Sequence, residues 1–268
     1  MGSGYTSRAG EPTSFAVQEL QAFHDLLGMR RAPYTTIPSL ICALTLAAAM
    51  PASAGGDEET PGPAGFEREG ATVYAFDPGA STIRVLVYRG GFFSNAGHNH
   101  VLAVENFRGA VYLHDDLNMS GFELDFRLDE MILDRLADRD AESADFSSKL
   151  SEGDIANTRH NMLGEKGTQA EHYPEVRIRS LAVVGTPPEV TVTVLVTLHG
   201  VSQHLEVPVS FEAAEMQIVA SGQFKLRQKD FGIKPFSAAL GALKVKNELT
   251  VRFRLVARRQ PDQPGRSE

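Results

Sequence analysis

Apolar and polar residues alternate along the C-terminal part of the chain. Residues 190–198, 205–211, 218–226 and 249–255 each place an apolar side chain at every second position. Because successive side chains of a β-strand point to opposite faces, each run predicts a strand with one apolar face and one polar face. We therefore expect an antiparallel sheet with an apolar side and a solvated side.

Similar runs occur earlier in the chain. Residues 83–87, 122–128 and 176–179 alternate in the same way, and residues 107–113 and 181–184 are also typical of strands. With the C-terminal runs they predict eight or more short strands of similar size. Such a set is typical of a barrel or a sandwich, and not of a fold in which strands and helices alternate.

Two segments interrupt this pattern. Residues 133–153 are polar and rich in aspartate and arginine, which predicts an excursion on the surface. Residues 154–164 predict a short helix, with Asp154 as its N-cap and Gly164 as its C-terminal stop. Ile155, Met162 and Leu163 would give this helix one apolar side.

Composition and charge narrow the class of protein. Of the 268 residues, 42% are hydrophobic, which is ordinary for a globular protein, and the net charge of −8 argues against a nucleic-acid-binding surface. Residues 55–71 are rich in Gly, Pro and Glu and predict a flexible lead-in. We expect the folded domain at residues 72–257 and a disordered tail at residues 258–268.

The N-terminal region has the pattern of an export signal. Residues 37–50 are apolar but shorter than the roughly 20 residues that cross a bilayer, two arginines precede them, and an Ala-Ser-Ala triplet ends at Ala54. This predicts a signal peptide at residues 29–54 and a periplasmic product, with a buried helix as the alternative. Cys42 would leave with the signal, so no mature thiol would remain for disulfides or metal binding.

The translation start has two candidates. Met29 stands directly before the arginine pair. If translation begins there, residues 1–28 are an upstream extension that is not translated. No second long apolar run follows, so we expect no integral membrane segment.

Five motifs stand in a fixed order across residues 72–257. They are Tyr-Ala-Phe-Asp-Pro with Ser-Thr-Ile-Arg at 74–84, Thr-Arg-His-Asn-Met-Leu at 158–163, His-Tyr-Pro-Glu-Val-Arg-Ile at 172–178, Leu-His-Gly-Val-Ser at 198–202 and Lys-Asp-Phe-Gly-Ile at 229–233. In this order they resemble the YceI-like, lipid- or polyisoprenoid-binding family of exported bacterial proteins. Gly97-His-Asn-His100 and the polar segment before the helix depart from the family pattern, so the chain resembles a variant branch.

The resemblance implies an all-β fold, a lipocalin-like eight-stranded antiparallel barrel with one short helix. It implies an isoprenoid, quinone-like or other lipid-like amphiphile bound inside the barrel. The side chains expected to line this interior are Val85, Val87, Leu124, Phe126, Ile178, Val194, Val196, Phe224, Leu226 and Phe253. The same residues would also serve a filled core without a ligand. Phe92 and Phe93 would form an aromatic lip at the mouth of the barrel or cap its core.

The histidines give two further hypotheses. His98 and His100 are two residues apart and would share one side of a strand, with His160 reaching them from the helix. We expect all three to bind a polar head group near the barrel mouth, or to bond to Asn99, Asn161 and backbone groups there. The alternative is a divalent-metal site or a metal-dependent enzyme, although no carboxylate or cysteine completes the set. His199 has a structural role in a turn.

Three functions therefore remain open. The first is an exported lipid carrier, storage protein or scavenger without a cofactor, and the second is the histidine metal protein. The third is an envelope interaction module with a filled core. Catalysis lacks support, because the chain has no Gly-x-Ser-x-Gly elbow, no mature cysteine and no Gly-rich phosphate loop. An exposed strand edge could also form a homodimer.

Overall fold

The computed structural model describes residues 66–261. The predictions for the upstream extension, the signal peptide and Cys42 lie outside these residues. No helix within residues 66–261 has the length and apolar character needed to span a membrane.

Strands dominate the described chain. Their bounds are β1 Thr72–Phe76, β2 Thr82–Gly90, β3 His100–Ala103, β4 Phe107–Leu113, β5 Gly121–Arg127, β6 Ile132–Leu133, β7 Glu175–Thr186, β8 Glu189–Leu198, β9 Val201–Ala214, β10 Gln217–Arg227, β11 Ser237–Ala238 and β12 Leu243–Arg259. The α-helices are α1 at Leu136–Asp140 and α2 at Glu152–Leu163.

Eight strands close into an antiparallel barrel in the order β1-β4-β5-β7-β8-β9-β10-β12, with β1 paired to β12. The length of β12 allows a second pairing on the same edge. Its C-terminal end pairs Ala257 with Phe76 of β1, and its middle pairs Val251 with Val85 of β2. Strands β3 and β6 extend the sheet beyond β2. The predicted eight-stranded barrel is confirmed.

The alternation of the sequence lines the inside of this barrel with apolar side chains. On β8, Val190, Val192, Val194 and Val196 are all buried in one apolar cluster, while the threonines between them face outward. The ten side chains predicted to face the interior all belong to this cluster or pack against it. Burial of such a surface contributes about 25 cal/mol per Å² to folding.

The polar segment 133–153 lies over the outer face of the barrel, but several of its side chains are more buried than predicted. Asp134, Asp138 and Arg139 are buried, and Phe146 is 1% exposed. Phe146 clusters with Leu86 and Val101 on the outer face of β2 and β3. That outer face is apolar, so the segment folds over it and carries its own charges into partly buried ion pairs.

Helix α2 begins earlier than predicted. Ser151 is its N-cap, and Asp154, predicted to be the cap, is the third helical residue. The Ser151 hydroxyl accepts from the Asp154 backbone N–H, and the Asp154 carboxylate accepts from the Ser151 backbone N–H. The predicted apolar side is confirmed, because Ile155, Met162 and Leu163 pack against the barrel core.

Both ends of the domain extend beyond the predicted bounds. Strand β12 continues through Arg259, two residues into the predicted tail, and Arg258 pairs with Asp77 at 2.6 Å. Part of the predicted lead-in is also anchored, because the ring of Phe66 stacks on Tyr112 with 5.1 Å between centroids. Apolar and ionic contacts therefore order residues at both ends that the composition of these segments predicts to be flexible.

Candidate ligand-binding site

The inward-facing side chains of the barrel are unequally buried. Leu124, Val194, Val196 and Leu226 are buried. In contrast, the remaining predicted interior side chains are only partly buried; they are Val85, Val87, Phe126, Ile178, Phe224 and Phe253. Because they face the inside of a closed, hydrogen-bonded wall, solvent can reach them only through an end of the barrel or a gap in the wall. These six side chains therefore keep accessible surface on the apolar inner face of the barrel.

The wall has such a gap between β9 and β10. These strands pair only through residues 209–214 and 217–222. Beyond this point β9 pairs with β8 alone and β10 with β12 alone. Pro208, which has no N–H to donate to a ladder, lies where the pairing stops. The gap opens toward the end of the barrel at which β10 terminates.

His100 brings a polar group onto the apolar inner face at this same end. It is the first residue of β3 and pairs with Val87 of β2, whose side chain packs against the barrel core. Leu102, the next residue on that face, is buried in the core. The His100 side chain is 13% exposed, and its Nδ1 lies 2.6 Å from Oδ2 of Asp134.

Asp134 is fixed by three donors. Its carboxylate accepts the Nδ1–H of His100, the backbone N–H of Val101 at 3.0 Å and an Nη1–H of Arg139 at 2.6 Å. The backbone of Asp134 has φ +54°, a left-handed conformation that costs an L-residue roughly 1–2 kcal/mol. The bonds to Val101 and Arg139 hold it there.

The carboxylate of Asp134 orients the His100 ring. Burial by itself raises the pKa of Asp134, but the hydrogen bonds and charges of His100, Val101 and Arg139 outweigh burial and lower that pKa below its ordinary value. The ionised carboxylate accepts a hydrogen bond from the Nδ1–H of His100. Nε2 is then the ring nitrogen that remains for another partner. Nε2 has no hydrogen-bond partner among residues 66–261.

His98 lies beside this network but outside the strand. Its Nδ1 is 3.3 Å from Oγ of Ser148. Burial lowers the pKa of His98, and the charges of His100, Arg139 and Arg89 add to this effect against the opposing charge of Asp154. The ring is therefore neutral at neutral pH.

The three histidines have different surroundings in the described structure. His98 and His100 contact different partners, Ser148 and Asp134, and His160 is exposed on α2. Within residues 66–261 no group of three or more His, Cys, Asp or Glu side chains is placed to hold a metal ion.

Phe92 and Phe93 follow β2 at the His100 end of the barrel. Their side chains are 95% and 61% exposed, and their rings contact each other edge to face at 6.1 Å. They do not pack against the barrel core. Both side chains are therefore exposed and do not cap the core, and their role as a lip at the barrel mouth stays a prediction.

Residues 74–257 match the family described as the YceI-like domain. The chain belongs to the YceI-like family. The resemblance inferred from the five motifs is thereby confirmed. No curated protein sequence matches the chain.

Solved structures of similar fold include two bacterial proteins. BcnA of Burkholderia cenocepacia is 15% identical with a TM-score of 0.49, and the match covers 68% of this chain and 99% of BcnA. The YCEI protein of Campylobacter jejuni is 9% identical with a TM-score of 0.44, and the match covers 60% of this chain and 85% of that protein.

Three YceI-like motifs converge at one corner of the barrel. The Nδ1–H of His199, in the turn between β8 and β9, donates to the carbonyl of Phe231 at 3.0 Å. The Tyr173 ring lies 4.8 Å from the His199 ring. His199 and Gly200 have φ +54° and +71°, so the turn depends on left-handed backbone. His199 is therefore structural, and it joins the segments that contain Tyr173 and Phe231.

Two glycines at this corner give a paired test. Gly200 and Gly232 are both left-handed, but a Cβ at Gly200 would lie 2.8 Å from the Tyr173 ring, whereas one at Gly232 would lie 3.6 Å from His199. We expect Gly232→Ala to lower the free energy of unfolding by about 1–2 kcal/mol and Gly200→Ala to lower it by roughly twice as much. Urea denaturation measures both. Equal losses would mean that the Tyr173 ring moves aside freely.

The sequence analysis did not find the residues that hydrogen-bond to the histidines of this site. Asp134, Arg139 and Ser148 support the histidines, yet they stand in a segment interpreted as solvated. The available signal was apolar: Leu133 and Phe146 flank the charged run, and both are buried. Charged side chains that lie between two buried apolar residues must pair with one another if the segment packs against the protein, because unpaired charges are almost never buried.

Proposed function

We propose that this YceI-like protein binds a long isoprenoid or quinone-like lipid, with its apolar tail inside the barrel and its polar head beside His98 and His100. The observation that supports this proposal is an apolar inner face that keeps accessible surface and has one polar end. An isoprenoid tail has no hydrogen-bonding groups and needs only apolar walls. Val87 and Phe253, both inward-facing and partly buried, are walls of this kind.

The energetics favour such a tail. A chain that buries about 300 Å² of apolar surface gains roughly 7 kcal/mol at 25 cal/mol per Å². Ordering the tail and losing its free motion oppose this gain. A long tail therefore supplies most of the affinity, and the head group supplies orientation and selectivity.

The polar end favours a head group that donates a hydrogen bond. The Arg139 guanidinium is already bonded to Asp134, Ser148 and the Asn99 carbonyl. In the tautomer that directs Nδ1–H at Asp134, the unprotonated Nε2 of His100 is an acceptor. A hydroxyl of an isoprenoid alcohol or a quinol suits that acceptor better than a phosphate does.

The proposed role is that of a carrier, store or scavenger in the periplasm, reached through the signal peptide at residues 29–54. The proposal is for binding without a chemical reaction, because the charged side chains at the polar end are paired with one another. Arg139 and Asp134 are paired, and the Ser148 hydroxyl accepts from Arg139 at 3.1 Å.

His100→Leu tests the assignment of the head group. We expect the unaltered protein to bind a twenty-carbon isoprenoid alcohol about fivefold more tightly than its methyl ether, as one hydrogen bond of about 1 kcal/mol would give. His100→Leu should abolish this preference while it keeps affinity for the tail. Displacement of a fluorescent fatty-acid probe measures both constants.

His204→Leu is the matched control, since His204 is exposed on β9. It should retain the preference for the alcohol. Unchanged preference in His100→Leu would exclude His100 from head-group recognition. Failure of the unaltered protein to bind either compound would contradict an isoprenoid ligand altogether.

A further inference from the structure

We propose that the His100 end of the barrel docks onto a bilayer that contains anionic lipids. This inference does not depend on what the barrel interior holds. It rests on a surface, called here the docking rim, that consists of the loop after β2 with Phe92 and Phe93 and the segment from Arg227 to Glu248.

The docking rim carries a concentration of positive charge. An open groove of about 610 Å³ runs along it and is lined by five cationic side chains, Arg227, Lys229, Lys234, Lys244 and Lys246. None of these five has an ion-pair partner within residues 66–261. The one carboxylate in the lining, Glu248, is paired with Lys225 at 2.7 Å. On a chain of net charge −8, this is a local reversal of sign.

The same rim carries exposed apolar side chains. Phe92 and Phe93 are joined there by Phe236, which lines the groove, and by Leu240, which is fully exposed. The loops are in direct contact, because the Phe93 backbone N–H donates to the Ala242 carbonyl at 2.9 Å. Leu240 also has φ +54°, a left-handed backbone conformation that carries a conformational cost for a leucine.

Charge and apolar side chains together select the partner. An acidic protein would complement the lysines but would give no reason for protruding phenylalanines in water. A bilayer accommodates both, because cations bind anionic head groups while aromatic and aliphatic side chains enter the boundary with the acyl chains. Docking in this orientation would also place the barrel opening against the lipid.

Vesicle flotation tests the docking rim. The full chain is exported from a bacterial host, its N-terminus is determined by mass spectrometry, and all variants share that N-terminus. Vesicles contain either phosphatidylcholine alone or phosphatidylcholine with phosphatidylglycerol. We expect binding to the anionic vesicles, weakened by salt, and at least about tenfold weaker binding for Phe92→Ser/Phe93→Ser and for Lys246→Glu.

Two matched controls lie on other parts of the surface. Met216→Ser removes an exposed apolar side chain at the β9–β10 turn, and Arg254→Glu reverses an exposed charge further along β12. Both should bind as the unaltered protein does. A polarity-sensitive dye at Leu240→Cys, in a Cys42→Ser background, should shift to the blue on anionic vesicles.

Several outcomes would overturn the proposal. They are equal binding of the unaltered and the Phe92→Ser/Phe93→Ser chains, absence of binding at low salt, and an unchanged dye spectrum. Salt-sensitive binding to polyglutamate that does not require the phenylalanines would assign the docking rim to an acidic polypeptide.

Discussion

Asp134→Ala should lower the free energy of unfolding by about 3–5 kcal/mol, the loss expected when a buried ion pair loses one partner. The substitution would leave the guanidinium of Arg139, which is 5% exposed, without its carboxylate. It would also leave the Val101 N–H unbonded and place alanine at φ +54°. Urea denaturation followed by circular dichroism measures the loss.

Asp134→Asn separates charge from shape. Asparagine tolerates left-handed backbone and still accepts from Val101, so this variant should lose less stability than Asp134→Ala. Equal stability of Asp134→Ala and the unaltered chain would show that the buried network does not hold the segment against the barrel.

The lowered pKa of Asp134 also predicts how the stability of the unaltered chain, compared with that of Asp134→Asn, depends on pH. The ionised carboxylate stabilises the fold above its unfolded pKa of about 3.9, and this contribution is lost as the pH falls through the lower pKa of the folded state. The difference in stability between the unaltered chain and Asp134→Asn should therefore narrow below about pH 4.

Val85→Phe should weaken lipid binding by more than about tenfold and leave the fold nearly as stable. Val85 faces the interior between Leu102 and Val251 and is only partly buried. If the interior is open, the added ring occupies the space of the tail, so affinity falls by more than about tenfold while the free energy of unfolding changes by less than about 1 kcal/mol.

A filled core makes the opposite prediction. Extra volume in a close-packed interior costs about 1–3 kcal/mol, and a protein without a ligand has no affinity to lose. Val184→Phe, at a residue that is 63% exposed, makes the same chemical change outside the barrel and should affect neither property. Titration with the isoprenoid alcohol and urea denaturation, done on both variants, distinguish the two cases.

Much of the architecture was predictable because period-two alternation is a local property. Residues 190–198 give the inward face and the burial of β8 without tertiary information, and α2 shows its apolar side through Ile155 and Met162. The closure of the barrel was harder to predict from the sequence. It depends on β12 being long enough to pair with both β1 and β2 along one edge.

The candidate site was predictable only in part. His100 was singled out by its spacing from His98, but its partner Asp134 lies 34 positions away in a charged run. Sequence patterns mark where charges stand and do not show which of them meet. The ion pair between Asp134 and Arg139 forms because the outer face of β2 and β3 needs a cover, a requirement visible only in three dimensions.

The most direct test of the central claim is native mass spectrometry of the exported protein, purified without detergent. We predict an adduct with the mass of an isoprenoid or quinone-like lipid, removed by extraction with organic solvent and restored by adding the isoprenoid alcohol. Val85→Phe should carry no adduct, whereas Val184→Phe should carry it. A bare protein that remains bare after addition of the alcohol, or an adduct that a chelator removes, would contradict the account.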